Sequence, residues 1–587
     1  MMKTVLTFIR KRPALALFIL LFITFIPFLG ETLFNTKGEP REAIVAVSML
    51  QQHDFILPVS NGGDMPYKPP MLAWCIALFS MLTGGEVTEF TSRLPSAVAM
   101  IVMTMVTFLI ARKHTSQTKA MMMALISITA FEVNRAAYAC RVDMLLTMFM
   151  VTAMFLLFDN YQKSKKIISV GAILLMSGGV LTKGPVGAVL PAATAWIYYL
   201  LRGENWFRAT WQTAVNCVAS LVLPAMWYVA AWIQGGDTFL SLMLEENVGR
   251  FTGTMSYDSH LNPWYYNVIT VVAGLLPYTL LLVISLFFIK WRNVKTNVCS
   301  IRFARAIMKV REANPWIVYN AVLAIFIFVF YCIPGSKRSV YLLPIYPSLA
   351  FFIAVYACRL YTQGAKALKI YAGIIATIAP LITLVFISLK IFDFSTGKES
   401  TDAFISAFHN LTPSIGGLLA IAASLVMSFY VWRAVAKSSG KKALRFALVA
   451  LTTMYWSFAA VYQPAALGVK SDKVVADELL AEGYGKDNPI YGYCSVPMLR
   501  YYTVNFYMGD CVINCEKNMP QNGVMIIGDR DLETWLGENG DAYDCTILKN
   551  TNHKSCDSKQ KIMIVKLVKK SEKEVNNTTN WSIGTVK

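Results

Sequence analysis

MMKTVLTFIRKRPALALFILLFITFIPFLG, residues 1–30, opens the chain and decides its class. Lys3, Arg10, Lys11 and Arg12 precede an apolar run from Pro13 to Gly30. That run is long for the hydrophobic region of a signal peptide and lacks a clear small-residue cleavage site, so it reads as an uncleaved membrane span. Working outward, further spans fall near 92–111, 118–134, 144–160, 167–182, 185–201, 212–233, 264–289, 315–333, 339–358, 370–391, 412–432 and 446–463, which makes 13. The whole chain has 587 residues, 56% hydrophobic and 15% charged, whereas a soluble domain is about a quarter charged. A soluble enzyme, a disordered chain and a secreted disulfide scaffold are excluded. An outer-membrane barrel is excluded too, because its strands alternate and run only about 10 residues.

The formal charge of +19 invites a nucleic-acid reading until it is located. The N-terminus and the loops at 111–119, 159–166, 202–208, 290–314, 359–369 and 433–445 hold 27 Lys or Arg against three acids. The positive-inside rule makes this set cytoplasmic. From 464 onward there are 15 basic and 16 acidic residues. The excess is therefore membrane topology and no nucleic-acid partner is expected. An odd span count places the N-terminus in the cytoplasm and the C-terminal region outside it.

The expected architecture is an all-α polytopic membrane domain over 1–463, whose first external loop, about 31–91, carries amphipathic helices. A small external α/β domain follows over 464–587. Within it helices are predicted at Lys473–Leu480, Pro497–Met508 and Asp531–Leu536, and strands at Pro489–Cys494, Gly523–Gly528, Tyr543–Leu548 and Ile562–Leu567. Cys494, Cys511, Cys515, Cys545 and Cys556 all lie there. In an oxidising compartment structural disulfides are expected, with one thiol left over.

Polar residues collect in the external loops. The first contains GEPREAIVAVSMLQQHDFILP (38–58) and NGGDMPYKPPMLAW (61–74). Pro40 with Ala43, Ile44, Val47 and Leu50 describes an amphipathic helix, headed by Glu39, Arg41 and Glu42. Helix capping accounts for these acids as well as catalysis does. Lys68, fixed among Pro66, Pro69 and Pro70, suits either lipid headgroups in general or one particular phosphate. Asp143 in AYACRVDMLLTMFM (137–150) stands at a span mouth, where a carboxylate needs a partner such as Arg141 or Lys68. LTKGPVGAVLP carries Lys183, EENVGRF and YDSHLNPWYY carry Glu246, Arg250, His260 and Trp264, and PGSKRSVYLLPIYP carries Lys337 and Arg338. External cations run against the positive-inside rule, so five such loops point to an anionic-lipid site.

In this order EPREA with DFILP, YKPP, RVDMLLTMF, LTKG, GRF with NPWYY, and GSKRSVYLLPIYP resemble the polyprenyl-phosphate-dependent membrane glycosyltransferases of the ArnT and protein-mannosyltransferase (GT-C) type, over about residues 10–360. The resemblance implies transfer of a sugar from a polyprenyl-phosphate donor, undecaprenyl phosphate first among them, to a lipid such as lipid A or to a protein hydroxyl. It implies the periplasmic face of a bacterial inner membrane. Lys68 and Arg41 would hold the donor phosphate, with Lys183, Arg250, Lys337 and Arg338 as further contacts, and Asp143 would orient Lys68. A clamped phosphate is a good leaving group, and a carboxylate must take the acceptor's proton.

Two departures shape the expectation. Gly38 precedes Glu39 where the family has Asp then Glu, so Glu39 is the candidate base. Tyr67 and Asn247 stand at the family's metal positions. Glu246 and His260 do not complete a ligand set, so no metal or cofactor is expected. A transporter or flippase would carry its charges inside the spans rather than at their mouths. A non-catalytic lipid-binding or assembly protein stays open because of Gly38.

Overall fold

The computed structural model describes residues 11–164, 168–249, 252, 261–288, 310–392, 394–437 and 439–570. It divides into two compact units, one of residues 1–31, 67–72 and 93–466 and one of residues 32–66, 73–92 and 467–587. Two segments of the first long loop thus share a unit with the C-terminal sheet.

The first unit is helical and membrane-spanning. Each of the 13 predicted stretches is helical in whole or in part. Among the described residues eight helices are long and apolar enough to cross a membrane alone, nine if the pair Tyr266–Gly274 and Tyr278–Leu286, bent by 97°, counts as one span. A bilayer needs about 20 residues per helix. Several expected spans fall on shorter helices, namely Gln117–Thr129, Val170–Lys183 and Val186–Leu201, of 13, 14 and 16 residues. The breaks have local causes: Ala130 takes an extended conformation (ψ 130°) before Phe131–Ala137, and Gly184 and Pro185 end one helix and begin the next.

Val142–Lys163 is the most enclosed span, with 89% of its apolar window buried. Phe155 and Phe158 on this helix stack around Trp316 at ring separations of 5.1 and 5.4 Å, and Phe158 lies 4.7 Å from Tyr319. Aromatic packing of this kind, rather than hydrophobic exclusion from water, is what holds helices together inside a bilayer. The helix fixes in place whatever stands at its ends.

The second unit is built on a five-stranded sheet in the order β2-β1-β3-β5-β4. The strands are β1 (Ile490–Tyr493), β2 (Val512–Asn514), β3 (Asn522–Gly528), β4 (Tyr543–Lys554) and β5 (Lys561–Lys569). β1 pairs parallel with β2 and β3, whereas β5 pairs antiparallel with β3 and β4. The predicted strands are present. The expected helix at 497–508 shrinks to Tyr502–Tyr507, and β2 is an addition to the predicted set, since three residues carry too little pattern to be read.

The expected disulfides do not form: all five cysteines of the domain are free thiols. Cys494 and Cys511 belong to one apolar cluster and Cys515 to another, where each serves as a small hydrophobe. Burial pushes the Cys515 thiol up to about 12 and so keeps it protonated.

The NGGD segment of the first loop docks within this unit. Asn514 N–H donates to the Asn61 carbonyl at 3.0 Å, and Asn518 Nδ2 donates to that of Gly62 at 2.8 Å. Gly62 has φ +69°, and a Cβ there would lie 2.7 Å from Ile513 Cγ2, so only glycine allows this approach. Arg500 bonds Asp64 at 3.0 Å and Glu516 at 3.3 Å, while Lys517 reaches Asp64 at 2.9 Å.

Candidate functional site

Lys183 is placed by a helical hairpin. Val170–Lys183 closes on Gly184 (φ +89°), whose N–H donates to the Val180 carbonyl at 2.7 Å. Pro185 then starts Val186–Leu201. The two helices meet at Gly179 and Gly187, where a Cβ on Gly187 would fall 2.2 Å from the Gly179 carbonyl carbon. Small residues at that crossing are what let the turn be so tight.

Asp143 is placed from the other side. It occupies the first turn of Val142–Ser164 and is 5% exposed. Its carboxylate receives Lys183 Nζ at 2.5 Å. A carboxylate at a helix N-terminus and an ammonium in the last turn of another are each favoured by the helix dipole, so two helix ends reinforce one ion pair. The Lys183 ammonium also sits 4.2 Å from the Tyr341 ring centroid, and Tyr341 lies 5.5 Å from the Tyr331 ring.

Lys68 and Arg141 lie within electrostatic range of the same carboxylate. Lys68 is half-buried and lies over the Tyr67 ring at 5.3 Å. The sequence pattern offers Arg141 or Lys68 as partners of Asp143. The direct salt bridge described here is to Lys183, from a helix end 40 residues away in sequence. Three cations around one carboxylate leave a surplus of positive charge, which is a setting for an anion.

Arg135 is not among the residues expected from the sequence. It forms a two-pronged bridge to buried Glu132, Nε to Oε2 at 3.1 Å and Nη2 to Oε1 at 2.7 Å, and it too acts on Asp143. The available signal is its position eight residues ahead of Asp143, on the short helix Phe131–Ala137. Lys337 is 5% exposed, and its ammonium donates to the carbonyls of Asn262 at 3.0 Å and Pro334 at 2.6 Å. It ties the segments around Asn262 and Pro334 together. Arg338 is half-buried and precedes the 3-10 helix Ser339–Ile345.

In the second unit, Glu39 is 9% exposed and stands at the N-cap of Pro40–Gln52, but its side chain makes no capping hydrogen bond there. Helix capping therefore does not account for this carboxylate. Arg41 pairs with Glu42 at 3.5 Å. Arg250 and His260 lie outside the described residues. Tyr67 offers no carboxylate, and half-buried Glu246 belongs to no cluster of metal-ligating side chains among the described residues. The metal positions of the family do not fit these residues, and no step is derived through a metal.

Residues 67–229 match the Dolichyl-phosphate-mannose-protein mannosyltransferase family, and Lys68, Asp143 and Lys183 all fall within that match. An undecaprenyl phosphate-alpha-4-amino-4-deoxy-L-arabinose arabinosyl transferase of Edwardsiella ictaluri is 25% identical over 365 residues, 60% of this chain and 60% of that protein. The chain is thus similar to membrane glycosyltransferases that use polyprenyl-phosphate sugars. An uncharacterized protein of Aquifex aeolicus is also 25% identical to this chain, over 375 residues, covering 60% of this chain and 69% of its own length. The crystal structure of ArnT from Cupriavidus metallidurans bound to undecaprenyl phosphate superposes with a TM-score of 0.66 over 94% of this chain and 98% of that one, at 18% identity. This chain thus shares that fold along nearly its whole length.

Proposed function

We propose that this chain is a glycosyltransferase that moves a sugar from a polyprenyl-phosphate donor, undecaprenyl phosphate being the leading carrier, to a lipid or protein hydroxyl at the periplasmic face of a bacterial inner membrane. The observation that carries the reading is the Asp143–Lys183 pair with Lys68 and Arg141 around it. The carboxylate orders the lysines and the surplus cations meet the phosphate. As the bond from the anomeric carbon to the phosphate oxygen breaks, negative charge grows on the leaving phosphate. Cations already in place stabilise it without reorganisation. The acceptor hydroxyl attacks the anomeric carbon, and Glu39 takes its proton. Arg41, Arg250, Lys337 and Arg338 supply further positive charge from the other loops. The charge bias of the loops supports an N-terminus in the cytoplasm and a C-terminal domain outside it.

Membranes containing the protein, supplied with polyprenyl-phosphate-linked sugars, should transfer sugar to an endogenous lipid or protein. Lys68→Ala should lower turnover by about tenfold or more, since a charge-assisted hydrogen bond of roughly 1.5–3 kcal/mol acts on the leaving phosphate. Gly38, where the family has an aspartate, motivates a second reading, a lipid-binding protein without transfer. Donor binding without any transfer across a panel of sugars would favour it.

A further inference from the structure

A second cluster of ionisable groups lies entirely within the C-terminal part of the second unit. Asp472, Cys556 and Asp557 are 0%, 3% and 2% exposed, and their donor atoms lie within 4.8 Å of one another. Asp472 heads the helix Lys473–Ala481, while Cys556 and Asp557 stand in the connection between β4 and β5. Asp472 Oδ1 lies 2.9 Å from His553 Nε2 and accepts Cys556 N–H at 2.8 Å, and Oδ2 accepts the Ser555 hydroxyl at 2.8 Å. Asp557 accepts from Thr503 N–H at 2.7 Å and from its hydroxyl at 3.1 Å. Cys556 Sγ lies 3.2 Å from Thr503 Oγ1 and 3.8 Å from Asp557 Oδ1.

Two carboxylates buried side by side are costly unless a cation joins them. The nearby basic groups only partly meet this need. His553 touches Asp472, and Lys559 donates to the Cys556 carbonyl at 2.7 Å while acting on Asp557 from a distance. The donor set is mixed: two carboxylates, a thiol and an adjacent imidazole. Calcium and magnesium take six or more oxygens, whereas thiolate with carboxylate and imidazole suits zinc and its neighbours. Two such ligands on one tetrahedral ion would stand about 3.6 Å apart, given the usual metal–sulfur and metal–oxygen bonds, close to the observed Sγ–Oδ1 separation of 3.8 Å.

We propose that Asp472, Cys556 and Asp557 form a mononuclear site for a divalent transition-metal ion of the zinc class, with His553 orienting Asp472. Binding displaces the thiol proton to solvent and leaves the thiolate, the two carboxylates and one open position on the ion. The ion braces the β4–β5 connection against the helix that begins the domain. This role is structural and separate from sugar transfer.

The test uses the full-length protein in detergent, stripped with chelator and titrated with Co2+ alone. One equivalent should bind and give an intense near-ultraviolet sulfur-to-cobalt charge-transfer band. Cys556→Ser should lose that band, whereas Cys494→Ser, at another buried thiol of the same domain, should keep it. Absence of the band in the wild-type protein at saturating Co2+ overturns the proposal, as does its persistence in Cys556→Ser. Should Cys556→Ser fail to fold, Asp557→Asn decides: it should weaken Co2+ binding by at least about tenfold, and unchanged binding overturns the site.

Discussion

The two units each bury a carboxylate, and they settle its charge in opposite ways. In the membrane unit Asp143 meets a lysine directly, and two helix dipoles favour the pair. In the C-terminal domain Asp472 and Asp557 are buried beside each other, with a histidine and a thiol as companions. A fixed internal partner answers the first carboxylate directly, with Lys68 and Arg141 acting on it from a greater distance. The second relies on hydrogen bonds from Ser555, Cys556 N–H and Thr503, with His553 beside Asp472 and Lys559 acting on Asp557 from a distance. On the readings proposed above, the first would receive an anion and the second a cation.

The largest expected effect comes from breaking the complete pair. Removing one partner of a buried ion pair costs roughly 3–5 kcal/mol. Asp143→Asn or Lys183→Met should therefore lower thermal stability in detergent markedly. Where the pair also orders the cations on the leaving phosphate, transfer should fall by about a hundredfold for each ~2.7 kcal/mol lost from the transition state, measured in membranes at matched protein level. The double variant should recover thermal stability in detergent relative to either single variant while staying inactive, because it removes the stranded charge but not the need for it. A fully active double variant would end the role of this pair in the reaction.

Within the second unit, Arg500→Ala leaves Asp64 and Glu516 without their shared guanidinium. The cost should be about 2 kcal/mol, below the fully buried case because Asp64 is 20% exposed. Faster limited proteolysis at residues 61–64 would report it. Gly62→Ala should cost about 1–3 kcal/mol, since it forces both a positive φ and a contact on Ile513. A lower melting temperature without a change in the Co2+ spectrum would show that loop docking and the carboxylate cluster are independent.

The smallest expected effect is a pH slope. Asp510 accepts from Ser48 Oγ, Asn61 N–H and Asn505 Nδ2, yet burial outweighs these bonds and raises its carboxyl above the usual 3.8. A raised acid stabilises the folded state below its unfolded value and loses that contribution as pH rises through the folded value. Stability of the second unit should accordingly fall as pH rises from about 4, and Asp510→Asn should flatten that part of the profile. An unchanged profile would remove Asp510 as its source.

Much of the site is legible in the order of residues along the chain. Lys68, Asp143 and Lys183 stand out because ionisable residues at span mouths demand an explanation, and all three take part in one cluster. Lys337 looks equivalent on the same argument, yet its ammonium is spent on two loop carbonyls, a pairing that depends on how 262 and 334 meet. Arg135 carries no such signal, because only the turn at Ala130 and the bridge to Glu132 bring it toward Asp143. The cysteines mislead: compartment suggests disulfides, but the fold places these thiols inside apolar clusters and beside Asp557.

By itself, then, the sequence determined membrane class, helical content, an α/β tail and the chain positions of the charges at the span mouths. These follow from local composition and period, which each segment carries within itself. Tertiary structure alone decided which charge meets which, why Lys183 rather than a nearer cation bridges Asp143, and that NGGD packs with a strand more than 440 residues away. Pairing energies fall off within a few ångströms, and spacing along a chain says nothing about distances that short once helices and strands fold back on one another.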